Sequence, residues 1–249
     1  MKYVYSLFAI GLLFLATSLI KASITPAEAL AHPDRPAADR KYDLNRQPLK
    51  VLEFSEVKSG DIVLDLFSGG GYYTELLSKV VGNSGHIHSH NNKAYLRYLG
   101  EHLEKRYVND RLSNVTRITA EANDLELSEN QFDKIYMVLT IHDFYHSSKF
   151  WPAINTEQVL SNLYKSLKPG GIVLVIDHIG PDADRTKNSA ELHRVFPEHA
   201  MNDMKKAGFQ FVTEADFLKN PEDPLTISMA DKSIRGKTSR FVYKFTKAS

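Results

Sequence analysis

The sequence predicts an α/β domain, doubly wound around a mostly parallel seven-stranded sheet and closed by an antiparallel strand pair at its C-terminal end. Three observations carry this expectation. From about Leu49 onward, helical and strand periods alternate along the chain. A glycine-rich turn, Gly69-Gly70-Gly71, separates a compact apolar run from an amphipathic one. Two strand-like stretches follow the last helical period.

Taken in order, residues 51–57 read as a short helix ended by a turn at 58–60. Residues 62–67 form an apolar strand interrupted only by Asp65. Residues 72–81 are helical, with Tyr73, Leu76, Leu77 and Val80 on one face. A second strand covers 86–90 and a helix 94–107. Residues 115–120, 134–140 and 172–178 supply three further strands. A helix at 157–167 leads into the turn Lys168-Pro169-Gly170-Gly171. The last helix spans 197–207, ahead of strands at 209–214 and 240–245. No internal repeat is visible.

The 249 residues are 43% apolar and 24% charged, the composition of a globular chain. Residues 1–23 read as an export signal: Lys2 opens it and residues 4–20 are uncharged. Cleavage points are offered at Ala22, or at Ala31 after the small-residue triplet Ala29-Leu30-Ala31, so residues 1–31 are taken as the leader. Those 17 uncharged residues approach the shortest membrane span, which makes an uncleaved anchor the alternative. Residues 25–46 read as a polar tether or arm outside the core; past the leader the arm is taken as 32–48, and 49–249 as the folded domain.

Formal net charge is +1, and setting aside Lys2, Lys21 and Glu28 leaves 29 basic residues against 29 acidic. A neutral body gives no electrostatic case for nucleic acid, and membrane contact is expected only if the leader is retained. A small-molecule or peptide partner is favoured. The chain has no cysteine, which removes disulfides, a thiol nucleophile and the usual structural zinc sites. It also suits an exported protein.

The strongest chemical signal is Val63-Leu64-Asp65-Leu66-Phe67-Ser68-Gly69-Gly70-Gly71, between a strand and a helix. Glycines there permit a sharp turn and let a ligand lie against bare main chain, while helix-start amides favour an anionic group. A purely structural turn is the alternative. With its surroundings, the segment from Val57 onward resembles the class I S-adenosylmethionine-dependent methyltransferases. The resemblance rests on Asp65 with Gly69 and Gly71, on Asn91 after the second strand, and on Ala120-Glu121-Ala122 after the third. Gln131-Phe132-Asp133 and Leu167-Lys168-Pro169-Gly170-Gly171 add to it. More narrowly, the chain resembles an exported branch of uncharacterised methyltransferases. His32-Pro33-Asp34-Arg35-Pro36, Gly70 to Leu76, His142-Asp143-Phe144-Tyr145-His146 and Ile234-Arg235-Gly236-Lys237-Thr238 carry that likeness.

The resemblance implies a Rossmann-like fold with S-adenosyl-L-methionine as cofactor. Its loop would wrap the methionine part, Asn91 would meet the ribose, and Glu121 would lie near the adenine. The cofactor-binding set expected is Asp65, Phe67, Ser68, Gly69, Gly71, Tyr73, Asn91, Glu121 and Ala122. Two of these depart from the family: Phe67 stands at its first loop glycine, and Asn91 replaces a ribose-binding carboxylate. A nicotinamide enzyme of G-x-G-x-x-G type would need glycine where Thr74 stands.

Two polar clusters fall beyond strand ends, where ligands collect in such sheets. His142, Asp143 and His146 form the expected catalytic group, with His142 as general base and Asp143 orienting it. Asp177-His178 is the second cluster. These residue types also suit a divalent metal or plain loop structure, and no metal is assigned. His86, His88 and His90 alternate along a strand and read as a partly exposed face. Tyr72, Tyr73 and Tyr145 read as pocket lining or core. Arg235, Lys237 and Arg240 reach an anionic group or decorate the last hairpin, and His193-Arg194 is equally open. The function expected is methyl transfer to a small or peptide-borne acceptor. An exported binding protein that has lost turnover is the alternative.

Overall fold

The computed structural model describes residues 24–182 and 184–248. Residues 1–23, where the leader is expected, lie outside the described residues. Four short helices open the described chain: α1 (Pro26–Ala31), α2 (Ala37–Arg40), α3 (Asp43–Arg46) and α4 (Pro48–Ser55). Then β1 (Ile62–Leu66), α5 (Tyr72–Val81), β2 (His86–Asn91), α6 (Lys93–Leu99), α7 (Glu101–Tyr107) and β3 (Val115–Thr119) follow. The second half contains β4 (Phe132–Val138), α8 (Thr156–Ser166), β5 (Leu167–His178), α9 (Arg185–Lys187), α10 (Pro197–Lys206), β6 (Gln210–Ala215) and β7 (Arg240–Thr246).

The strands form one sheet in the order β3-β2-β1-β4-β5-β7-β6. All pairs are parallel except those made by β7, which runs antiparallel to both β5 and β6. The sheet is therefore mostly parallel, with one reversed strand. Strand order changes direction between β1 and β4, so the crevice beyond their carboxyl ends is the natural ligand position. Each face buries its own core. Leu64, Ile135, Val173 and Phe245 meet α8 and α10 residues on one side. Val63, Tyr136, Leu174 and Val242 meet α4 and α5 on the other. Leu76, Leu77, Val80 and Val81 of α5 are buried, each contributing roughly 1.5–3 kcal/mol.

Two sequence expectations are corrected. The expected single helix over 94–107 is divided, because Gly100 takes a left-handed φ of 52° and starts a second helix at Glu101. The expected tether is packed instead. Ala29 is fully buried in the α4–α5 core, and Arg35 and Asp39 are buried too. Arg106 of α7 holds Asp39 through two bonds of 2.9 and 3.1 Å and reaches Glu75 of α5 at 3.2 Å. Arg111 clamps the same Glu75 at 2.6 and 2.8 Å. Burial raises the Glu75 pKa, but Arg111 and Lys79 overcome this and hold it below its ordinary value. The arm looked solvated because its charges find partners far along the chain. Asp39→Ala is expected to cost about 2 kcal/mol, lowering Tm by roughly 4–8 °C. Limited proteolysis within residues 24–47 should accelerate with it. Among the described residues, no helix is long and apolar enough to cross a membrane.

Candidate active site

Between β1 and α5 the chain reverses over five residues. Phe67, Gly69 and Gly71 all have left-handed φ, at 51°, 56° and 77°. Phe67 thus takes a left-handed backbone that glycine adopts freely, at a cost of about 1–2 kcal/mol for a residue with a Cβ. Its buried ring offsets this against His90, Tyr95, Trp151 and Phe144, with centroids 5.0, 5.6, 5.5 and 6.2 Å away. At Gly71 a Cβ would stand 2.7 Å from Arg106 Cδ, whereas at Gly69 nothing lies within 4 Å. The loop is closed on one flank and open on the other.

Hydrogen bonds lock this loop to its neighbours. Asp65 accepts the Thr74 hydroxyl at 2.6 Å; burial pushes its carboxyl up to about 6, against the opposing bonds from Thr74. Arg106 Nε donates to the Gly70 carbonyl at 2.5 Å. The Asn91 side chain accepts from Gly69 N–H at 2.9 Å and donates to Ser68 Oγ and the Gly69 carbonyl, both at 3.1 Å. The carboxamide is therefore turned inward and already bonded, which a carboxylate at this position could not reproduce, having no N–H to donate.

The three β2 histidines do not share one partly exposed face. His86 and His88 are half-buried, but His90 is fully buried. His90 Nδ1 accepts weakly from Phe67 N–H at 3.4 Å, and Nε2 faces the Ala120 carbonyl at 3.0 Å. A carbonyl only accepts, so Nε2 carries the proton. Burial pulls this histidine down to about 4, against the Ala120 bond, and it stays neutral. It ties the loop after β1 to the exit of β3. Sequence reasoning missed it, because alternation alone does not distinguish its depth.

The remaining cofactor candidates are dispersed. Glu121 approaches Lys93 N–H at 3.4 Å across the mouth of β2 and β3, and Ala122 is buried beside it. Tyr73 is buried against Tyr72 and Tyr136, its hydroxyl directed to the Arg46 carbonyl at 3.5 Å. Asp65, Phe67, Ser68, Gly69, Gly71 and Asn91 do converge. Tyr73 belongs to the packing beneath α3.

Beyond β4 a short helical turn, Ile141–Phe144, delivers His142 and Asp143. Asp177 at the end of β5 accepts His142 Nδ1 at 2.8 Å and His142 N–H at 3.0 Å. It also accepts His178 N–H at 2.7 Å. Asp143 lies 3.5 Å from His142 Nε2 and receives the Tyr95 hydroxyl at 3.1 Å. Burial acts to lower the His142 pKa, but Asp177 and Asp143 overcome it and push it up to about 9. The direction of this shift runs against the general-base role expected for His142. An imidazolium between two carboxylates cannot take up a proton at neutral pH.

His146 is placed differently. Ser189 donates its single hydroxyl proton to the His142 carbonyl at 2.5 Å, so its oxygen accepts from His146 Nδ1, also at 2.5 Å. This direction assigns the proton to Nδ1 and leaves the lone pair on Nε2. Burial lowers the His146 pKa, with Asp143 opposing and His193 and His142 reinforcing. Its ring stacks on Trp151 at 6.0 Å and lies 5.7 Å from that of His193, which is 6.0 Å from His142. Asp177, Ser189, His193, Trp151 and Tyr95 thus complete the cluster. Asp177 is recognisable in the sequence as a polar residue at a strand end, and His193 only as an unassigned His-Arg pair. Ser189 gives no signal there. Among the described residues, no group of three or more His, Asp or Glu side chains is arranged to hold a metal ion.

The family described as "Methyltransferase domain" matches residues 57–234, and the chain belongs to it. The ubiquinone/menaquinone biosynthesis C-methyltransferase UbiE of Blochmanniella pennsylvanica is 30% identical over 154 residues, 62% of this chain and 54% of that protein. The chain spans about half the length of such curated relatives. A solved SAM-dependent methyltransferase from Aquifex aeolicus shares the fold at TM-score 0.60 and 19% identity, covering 90% of this chain and 98% of that one. The [4+2]-cyclase SpnF shares it at TM-score 0.54 and 17% identity, over 85% and 82% of the two chains. The architecture and the family define an S-adenosylmethionine-dependent methyltransferase, and S-adenosyl-L-methionine is its cofactor.

The residues present fit that cofactor. Gly69 faces open space, so a ligand can lie against its main chain, and the start of α5 offers amides toward a carboxylate. Ribose hydroxyls would have to exchange with bonds Asn91 now makes inside the loop, at about 1 kcal/mol for each bond not replaced. Gly69→Val fills the open flank and strains a positive φ. Titration with S-adenosylhomocysteine should show binding abolished, with about 1–2 kcal/mol of stability lost.

Proposed function

We propose that this chain transfers a methyl group to a small-molecule or peptide acceptor, with His146 Nε2 receiving the acceptor's proton. The observation that carries this reading is the direction of the hydrogen bonds through Ser189, which puts the His146 proton on Nδ1 and leaves Nε2 unprotonated on a half-buried ring. When bound, S-adenosylmethionine supplies a methyl group on a positively charged sulfur. An acceptor lone pair would bond to that methyl carbon as the carbon–sulfur bond breaks and its electron pair returns to sulfur, releasing neutral S-adenosylhomocysteine, while His146 Nε2 would take the acceptor's proton. His142 stays charged, oriented by Asp177, and Trp151 offers a flat wall beside His146. Tyr95 and Asp143 lie beside them with polar groups to orient an acceptor.

The test is label transfer from methyl-tritiated S-adenosylmethionine to a panel of phenols, amines and short peptides. Label in an acceptor pool supports the reading. A chain that binds S-adenosylhomocysteine but labels nothing fits the second reading, a binding protein without turnover. The inward commitment of Asn91 and the Phe67 ring in the loop favour that reading.

Export belongs to the same proposal. The uncharged run at residues 4–20 behind Lys2 and the absence of cysteine support it. Ala22 is the favoured cleavage point, because cleavage at Ala31 would remove the buried Ala29 and the capped helix α1. Protein recovered from the cell envelope or medium should begin at Ser23 by mass. A chain still beginning at Met1 would indicate the membrane-anchored alternative. Nucleic acid is not among the partners proposed.

A further inference from the structure

Arg240 opens β7 directly across from His178, its register partner on β5. The residue is 6% exposed. Its guanidinium bonds only to main-chain carbonyls: Nε to Thr238 at 3.2 Å, and Nη2 to Asn45 at 2.9 Å and Gly236 at 3.1 Å. Carbonyls orient a guanidinium without cancelling its charge. Among the described residues Nη1 has no hydrogen bond, and Arg240 forms no ion pair. The carboxylates that favour its charge are already engaged, Asp177 by His142 at 2.8 Å and Asp223 by Arg194 through two bonds of 2.9 Å. Arg46 adds like charge nearby, lying over Tyr72 and Tyr42 at 4.5 and 5.3 Å. Burial opposes the Arg240 charge and lowers its pKa. A buried cation without a counter-ion is costly unless an anion completes it.

The space for such an anion is present. A cavity of about 290 Å³ is lined by Asn45, Asn220, Lys237, Thr238 and Arg240, with the exposed Leu44 among its walls. Lys237 is exposed and forms no ion pair among the described residues, whereas Lys219 in the same wall is tied to Asp216 at 2.6 Å. Glu222 lines the cavity as an exposed carboxylate. Thr238 bonds His178 Nδ1 at 2.6 Å, and the His178 ring lies 5.9 Å from that of His142. The cavity is thus joined to the histidine cluster through one side chain.

We propose that this cavity binds a carboxylate or phosphate group of the methyl acceptor, with Arg240 and Lys237 as its cationic contacts. The assignment rests on reading the adjacent histidine cluster as the acceptor site. Arg240 suits the task because its planar fork matches both anions.

Calorimetric titration of the full chain with inorganic phosphate, and separately with acetate, at fixed ionic strength tests this directly. Saturable one-site binding of at least one anion is expected, about tenfold weaker in Arg240→Gln and about threefold weaker in Lys237→Ala. The tighter anion identifies the group. No saturable binding of either anion to the wild type, or affinity unchanged in both variants, overturns the proposal. If Arg240→Gln fails to fold, Lys237→Ala decides, because its side chain is exposed. S-adenosylhomocysteine titrated into the same samples separates the two readings. Phosphate binding without it keeps an anion site and removes the methyltransferase reading, whereas the reverse removes the anion site alone.

Discussion

His146→Gln lowers turnover by about a hundredfold to ten-thousandfold, the range for loss of a positioned general base, and leaves S-adenosylhomocysteine affinity unchanged. The loss is expected in kcat, because His146 lies beyond the glycine loop and its ring is half-exposed. The pH profile adds a readout that a merely structural role would not move. His146 titrates below its ordinary value of 6.5, so the wild-type rate should climb through an inflection below that pH and then level. The rate should fall again as His142 loses its proton through about 9. In the variant the acidic limb disappears. A variant that keeps both the rate and the limb would remove His146 from the chemistry.

Asp177→Asn has the second large effect, on stability. Asp177 accepts three hydrogen bonds, from the His142 ring, His142 N–H and His178 N–H. Asparagine offers one acceptor oxygen and turns an N–H₂ group toward the remaining donors. The fully buried imidazolium would keep only Asp143, at 3.5 Å. The expected loss is about 3 kcal/mol, at the lower end for breaking a buried pair because Asp143 remains. Tm should fall by roughly 6–12 °C.

The sign of the pH dependence follows from the two shifts. His142 is raised in the folded state, so its stabilisation is complete below 6.5 and is lost as pH rises through about 9. Burial acts to raise Asp177, but His142 holds it below 3.8, so its contribution is present above that value and is lost as pH falls further. The Tm difference between wild type and Asp177→Asn should therefore be largest at about pH 5–6.5, shrink as pH rises toward 9 and be smallest above it. A difference constant across this range would mean that the pair is not ionised.

The central strands β1, β4 and β5 were legible as apolar runs bounded by turns, and glycines at 69 and 71 mark the exit of β1. The division at Gly100 was not legible, since its left-handed backbone leaves no trace in the apolar spacing around it. Nor was the packed N-terminal segment. Arg35 and Asp39 look solvated until Asp43 and Arg106 are brought beside them. At the site, the candidate residues were legible in the sequence and their hydrogen-bond partners were not. His142, Asp143 and His146 lie together as the sequence suggests, while the β5 carboxylate Asp177 bonds the His142 ring and Ser189 on a distant turn bonds His146. Both depend on contacts between segments more than thirty residues apart. Phe67 shows the reverse case: a conspicuous departure in sequence that leaves the loop backbone in the glycine conformation.

The measurement that bears most directly on the central claim is calorimetric titration of the full chain with S-adenosylmethionine and S-adenosylhomocysteine, freed of carried-over ligand, with NAD as control. Binding of the first two with Kd on the order of micromolar, and none of NAD, is the predicted result. A folded chain that binds neither would contradict the account and make the glycine loop a structural turn.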